Sequence, residues 1–146
     1  MKSYFVLFIC TLCLTDLLSA EESTPTPLDV VKKRTSALND HNLESFLATY
    51  AEDVAVFVYP DRPLGKGKAH VRKIFAPMIK KRNVHVEIDR TMTADSFVVV
   101  EMRTSFGDIA EPSVAIYEVR DGLIQSVRFL RDSIRARQIE TNKKIR

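Results

Sequence analysis

The side chains that could do chemistry in this sequence are few and scattered. His41, His70 and His85 share no metal-ligand spacing, so no metal site is expected. No serine has a histidine–acid partner, which removes support for triad hydrolysis. Gly65-Lys66-Gly67-Lys68 places two glycines and two lysines before a helical pattern, a combination that can attract an anion. It lacks the full spacing of a phosphate loop and reads as a tight turn. Arg34, Tyr59, Tyr117 and Arg131 remain. A guanidinium can hold a carboxylate or phosphate through charge-assisted hydrogen bonds, and a phenol can polarise an oxygen. A phenol with a pKa of about 10 is a poor base at neutral pH. The competing readings are that Arg34 packs its stem and sends its head to water, and that each tyrosine packs with a satisfied hydroxyl.

The elements that must position these groups follow from periodicity. From Leu28 the positions Val31, Thr35 and Leu38, flanked by Val30 and Ala37, fall at helical spacing as far as about Asn39. Asp40-His41-Asn42 breaks that helix, and Asn42 caps a second one whose stripe is Leu43, Phe46, Leu47 and Tyr50. Val54 to Tyr59 is β-branched and aromatic and stops at Pro60-Asp61-Arg62-Pro63, so it reads as a strand and a turn. Val71, Ile74, Phe75, Met78 and Ile79 mark a third helix, which Pro77 should kink or end. Strands are expected over Val84–Arg90, Ser96–Thr104, Ser113–Arg120 and Leu123–Leu130, the last two joined by the hairpin signal Asp121-Gly122. Strands that follow helices in this way argue for an α+β fold with an antiparallel sheet and helices on one face.

Alternation then assigns faces. Val98, Val100 and Met102 face inward, as do Val84, Val86 and Ile88. Ala115, Tyr117 and Val119 join Val127 and Phe129 on the same side, which puts Arg131 at the rim of any cavity. Asp89 and Arg90 should pair with Glu101 and Arg103 across strands on the outer face.

The chain has 146 residues, 45% hydrophobic and 28% charged, with 4 Gly and 6 Pro, a composition that fits one globular domain. A net charge of +3, spread along the chain, gives no basis for nucleic-acid binding. Residues 1–20 carry Lys2, an apolar run from Tyr4 to Leu14, and Leu18-Ser19-Ala20 before Glu21-Glu22, the pattern of a secretory signal peptide cleaved after Ala20. That run, interrupted by Asp16, is short of the ~20 residues needed to span a bilayer. Both cysteines, Cys10 and Cys13, lie within it, so the exported chain would have neither a disulfide nor a thiolate nucleophile. A secreted or periplasmic location is expected, with no membrane association after cleavage. Residues 21–27 read as a linker, 28–132 as the domain, and 133–146 as a basic, solvated tail.

Four segments give the domain a likeness. Ser36 to Phe46, Tyr50 to Val56, Gly65 to Ala69 and Ala115 to Ile124 resemble the NTF2-like superfamily, in its SnoaL-like branch with the ketosteroid isomerase relatives. The resemblance covers about residues 28–132. It implies a cone-shaped α+β fold, with a curved antiparallel or mixed sheet wrapped around N-terminal helices and open to a small, largely apolar molecule; a homodimer is often implied as well. In the isomerase relatives a tyrosine of the first helix, an aspartate base near the end of the first strand and a neutral aspartic acid on a later strand act on an enolate. Carried over, these roles fall on Arg34, Val58 and Ala115, none of which can fill them, so steroid isomerisation is not expected. In the relatives the position of Arg34 points into the cavity. The implied ligand contacts are therefore Arg34, Val58, Tyr59, Ala115, Tyr117, Phe129 and Arg131, with no cofactor. The functions weighed are an isomerase, hydratase or hydrolase acting on an apolar ligand with an anionic group, a non-catalytic binding protein, and a protein-interaction module.

Overall fold

The computed structural model describes residues 24–130. Residues 1–20, read from sequence as an export signal, the first three residues of the linker, Arg131 and the basic tail lie outside the described residues. α1 (Pro27–Asn39) starts at Thr26, whose hydroxyl accepts from the Asp29 N–H while the Asp29 carboxylate accepts from the Thr26 N–H. This capping box satisfies two amides that the helix itself leaves unpaired. α2 (Leu43–Leu47) is capped by the Asn42 side chain, which accepts from the Ser45 N–H. α2 is shorter than its periodicity suggests, because Tyr50 already begins β1 (Tyr50–Val58).

Two further departures from the sequence reading concern prolines. The segment after β1 is not only a turn: Arg62–Lys66 forms β2, paired antiparallel with β1. β2 is an edge strand, where Pro63, which has no N–H to donate, is tolerated. α3 (Lys68–Lys81) runs on through Pro77 for another turn. The carbonyl that Pro77 leaves unbonded is that of Lys73, an exposed residue, so water can take the missing donor's place.

β3 (Val84–Ala94), β4 (Phe97–Phe106), β5 (Ile109–Arg120) and β6 (Leu123–Leu130) form an antiparallel meander. The β5–β6 turn takes positive φ at both Asp121 (52°) and Gly122 (70°), as a two-residue hairpin requires. The six strands lie in the order β2-β1-β6-β5-β4-β3, and only the β1–β6 pair is parallel. The sheet is thus mixed and does not close into a barrel. α1 packs against β3 to β6, whereas α3 touches β1 and β2 at one end of the sheet and β3 at the other. A helix can reach both ends of a six-stranded sheet only if the sheet is strongly curved, and this curvature makes the cone.

The inward faces match the alternation. Val98, Val100 and Met102 of β4, Val84 and Val86 of β3, Ala115, Tyr117 and Val119 of β5, and Val127 of β6 are all buried. On the outer face Arg103 pairs with Asp89 at 2.8 Å and Glu87 at 3.1 Å, and Arg90 approaches Glu101 at 3.9 Å. These exposed pairs add little stability individually. A stronger tie joins α1 to the sheet: the Asn39 amide donates to the Val86 carbonyl (2.9 Å) and accepts from the Val86 N–H (2.8 Å). Val86 therefore bonds to a side chain on the edge strand, where no further strand follows. Replacing Asn39 by Ala should leave both backbone groups of a part-buried site unpaired and cost about 1–3 kcal/mol. Urea unfolding checks this, as a lower midpoint with an unchanged slope; an unmoved midpoint would contradict it.

Candidate functional site

The concave side of the sheet, α1 and α3 enclose a cavity of about 890 Å³. That is the size range of a site for a small organic molecule. Its walls are apolar: Leu38 from α1, Val71, Phe75 and Met78 from α3, Val84 and Val86 from β3, and Val127, Phe129 and Leu130 from β6. The polar groups that reach it fall into two sets. Thr104, Glu111 and Ser113 lie on the outer parts of β4 and β5, near the exposed Phe106. Arg34 and Tyr50 lie among the core residues.

Arg34 sits in the middle of the inward stripe of α1, between Val30 and Val31 on one side and Thr35, Ala37 and Leu38 on the other. Helical spacing puts it on the buried face, and it is 2% exposed. Its Nε donates to the Tyr50 hydroxyl oxygen at 2.9 Å. Its guanidinium carbon lies 5.0 Å from the ring centre of Phe46 and 5.6 Å from those of Phe75 and Tyr117. Phe46 in turn packs on Tyr50 and Phe75, with centroids 5.2 and 4.8 Å apart. The cation is caged by aromatic rings.

Rings alone do not neutralise a charge. Arg34 forms no ion pair among the described residues, and Nη1 and Nη2 form no hydrogen bond there. A guanidinium does not give up its proton in a protein. Tyr117 supplies no negative charge either: burial pushes its pKa up to about 12, against the opposing pull of Arg34, so it remains a neutral phenol. A buried cation without an anion is costly, since each cation–π contact returns only about 0.5–2 kcal/mol. The site is therefore electropositive at its inner end, apolar along its walls, and polar at its outer end, where Thr104, Glu111 and Ser113 lie.

Of the contacts implied from sequence, Arg34 and Phe129 line this cavity. Ala115 and Tyr117 are fully buried on the inward face of β5, in register with Phe129 and Val127 respectively, and Tyr117 acts on the cavity through Arg34 rather than by lining it. Val58 and Tyr59 lie outside the lining of this cavity. Val58 is half-buried and not part of the lining, and Tyr59 is 58% exposed. Val54 and Val56 point inward, so Phe57 and Tyr59 must point outward while β1 stays in regular register with β6. Arg131 lies outside the described residues. The sequence reading missed Tyr50, assigned to the stripe of the second helix. The sequence reading starts the strand only at Val54, whereas β1 begins at Tyr50, which shares the parity of the inward Val54 and Val56. Of Gly65-Lys66-Gly67-Lys68, the first two end β2, Gly67 with its φ of 86° is the junction, and Lys68 opens α3, so the segment is not a separate turn; the His70 ring fills the space a Cβ on Gly65 would occupy. Among the described residues no cluster of His, Cys, Asp and Glu is suited to a metal ion.

A cation kept for a ligand rather than for folding has a measurable signature. Arg34→Met should leave the unliganded protein at least as stable as the parent, and up to about 2 kcal/mol more stable, because an unpaired buried charge is replaced by an apolar side chain of similar length. Thermal unfolding reads this directly; a loss above about 2 kcal/mol would mark Arg34 as a structural residue.

Comparison with known proteins agrees with this architecture. No curated protein matches the chain. Among solved structures, a cystatin-fold protein from Novosphingobium aromaticivorans superimposes with a TM-score of 0.67 at 19% identity, covering 73% of this chain and 98% of its own. A computationally designed 17-OHP binder gives 0.62 at 23% identity, over 75% of this chain and 93% of its own. An epoxide hydrolase of the LEH-like type from M. tuberculosis gives 0.61 at 18% identity, over 74% and 84%. At such identities the likeness is one of fold. The SnoaL-like domain family matches residues 31–127, the segment from α1 to β6 that builds the cone, and the chain belongs to that family.

Proposed function

We propose that this protein binds a small, largely apolar molecule in the cone and anchors its one negatively charged group at Arg34. The observation that carries the reading is the Arg34 guanidinium, 2% exposed, without an anionic partner among the described residues, and facing a cavity of about 890 Å³. An anionic ligand supplies the missing charge where water is scarce, so the attraction is strong. The hydrophobic walls take up its body, at about 25 cal/mol per Å² of apolar surface removed from water.

Non-catalytic binding is preferred over isomerase, hydratase or hydrolase chemistry. Proton transfer needs a positioned base or acid. The described lining residues include no histidine and one carboxylate, Glu111, on the outer part of β5. Arg34 and Tyr50 can polarise an oxygen, and neither is the carboxylate or imidazole that such proton transfer uses. The designed 17-OHP binder and the LEH-like epoxide hydrolase support the view that the interior of this fold admits small organic molecules. With residues 1–20 as an export signal, the ligand would be met in the periplasm or outside the cell.

Two fluorescent probes of similar aromatic body test the reading: anilinonaphthalene sulfonate, which carries one negative charge, and N-phenylnaphthylamine, which carries none. Both should bind the parent protein. Arg34→Met should weaken the sulfonate at least tenfold, the equivalent of about 1.4 kcal/mol, and change the neutral probe less than twofold. Equal effects on the two probes, or no binding of either, would overturn the proposal.

A further inference from the structure

The hydrogen-bond inventory at the inner end of the cavity is one-sided, and this narrows the ligand class. A guanidinium has five N–H donors and no acceptor. One of the five, on Nε, is committed to Tyr50, whose oxygen accepts it at 2.9 Å. Since the Tyr50 oxygen is the acceptor there, its own O–H remains available to donate. Neither that hydroxyl hydrogen nor the four hydrogens on Nη1 and Nη2 meets an acceptor among the described residues. Arg34 and Tyr50 are 2% and 1% exposed, and both line the cavity. Because both side chains line the cavity, their unused donors are the polar groups at its inner end.

We infer that Arg34 and Tyr50 together form a receptor for a single carboxylate, with the Tyr50 hydroxyl as a specificity-determining donor. The inference rests on the proposed binding function and assigns the chemistry of the ligand's head. A site made of donors alone rejects an amine, which brings further donors and a like charge. An alcohol supplies an acceptor but no charge, and leaves the cation uncompensated. A phosphate monoester brings close to two negative charges against one cation, and the second is stranded among apolar walls. A carboxylate brings one charge and two oxygens, enough to accept from the guanidinium and the phenol at once. The fixed Nε–Tyr50 bond leaves the Nη end of the guanidinium for the ligand.

A series with one chain and four heads tests this: decanoate, decanol, decylamine and decyl phosphate, each competing at neutral pH with bound N-phenylnaphthylamine. Decanoate should displace the probe at least tenfold more tightly than the other three. Tyr50→Phe keeps the buried ring and should weaken decanoate about tenfold, in line with the loss of a hydrogen bond to a charged group, while decanol and the probe change less than twofold. If Tyr50→Phe leaves decanoate binding intact while Arg34→Met destroys it, the inference is overturned and the proposed function stands. Decyl phosphate binding as tightly as decanoate overturns the carboxylate assignment. Should the neutral probe fail to enter the parent protein, the proposed function falls as well. The order of the four heads on the parent protein holds as a test even if the Phe variant does not fold.

Discussion

A guanidinium held out of water, with no ion-pair partner among the described residues, is the feature around which this structure is organised. Arg34 lies on the face of α1 that packs into the core, among groups that suit a cation. Three aromatic rings offer their electron-rich faces, and one phenol accepts the Nε hydrogen. These contacts lower the cost of burial without abolishing it. A chain selected for stability alone could place an apolar side chain at this position. A guanidinium at this position makes sense when the cavity beside it is filled by something that carries the opposite sign.

The fold supplies that cavity through curvature. α3 packs against both ends of the sheet, so the strands between them bow away and leave room that side chains do not fill. Asn39 fastens α1 to the edge strand β3 through both backbone groups of Val86, and the outer face of β3 and β4 is laced by Arg103 and its two carboxylates. The cage of Phe46, Tyr50, Phe75 and Tyr117 draws on α2, β1, α3 and β5 in turn. Four elements must be in place before the guanidinium is enclosed, which binds formation of the site to completion of the fold. SnoaL-like domains share the architecture, but the chemistry belongs to the residues placed in it.

Much of this was legible in the amino-acid sequence, and the exceptions have physical causes. The first helix, its boundary at Asn39, the Asn42 cap, the four-strand meander and the inward faces of β3 to β6 follow from strict periodicity and strong turn chemistry at Asp121-Gly122. β2 was hidden because two prolines announce a turn, and only its position at the sheet edge lets Pro63 belong to a strand. Arg34 stood out as a cation beside an apolar stripe. Tyr50 did not, because Leu43, Phe46 and Leu47 before it continue a helical pattern that absorbs it, although in β1 it shares the parity of the inward Val54 and Val56. Tyr59, aromatic and close to the end of a strand, invites a place in the cavity, whereas alternation along β1 turns it to the exposed side. The aromatic cage is a tertiary arrangement, with Phe46, Phe75 and Tyr117 far apart in sequence, and no local pattern reveals it.

The most direct test of the central claim is a crystal structure of the protein with decanoate bound. The account places the carboxylate within hydrogen-bond distance of Arg34 Nη1 or Nη2 and of the Tyr50 hydroxyl, with the alkyl chain running past Leu38 and Phe129 toward Phe106. A carboxylate found at the mouth with its chain pointing inward, or a cone closed by its own side chains, would contradict it.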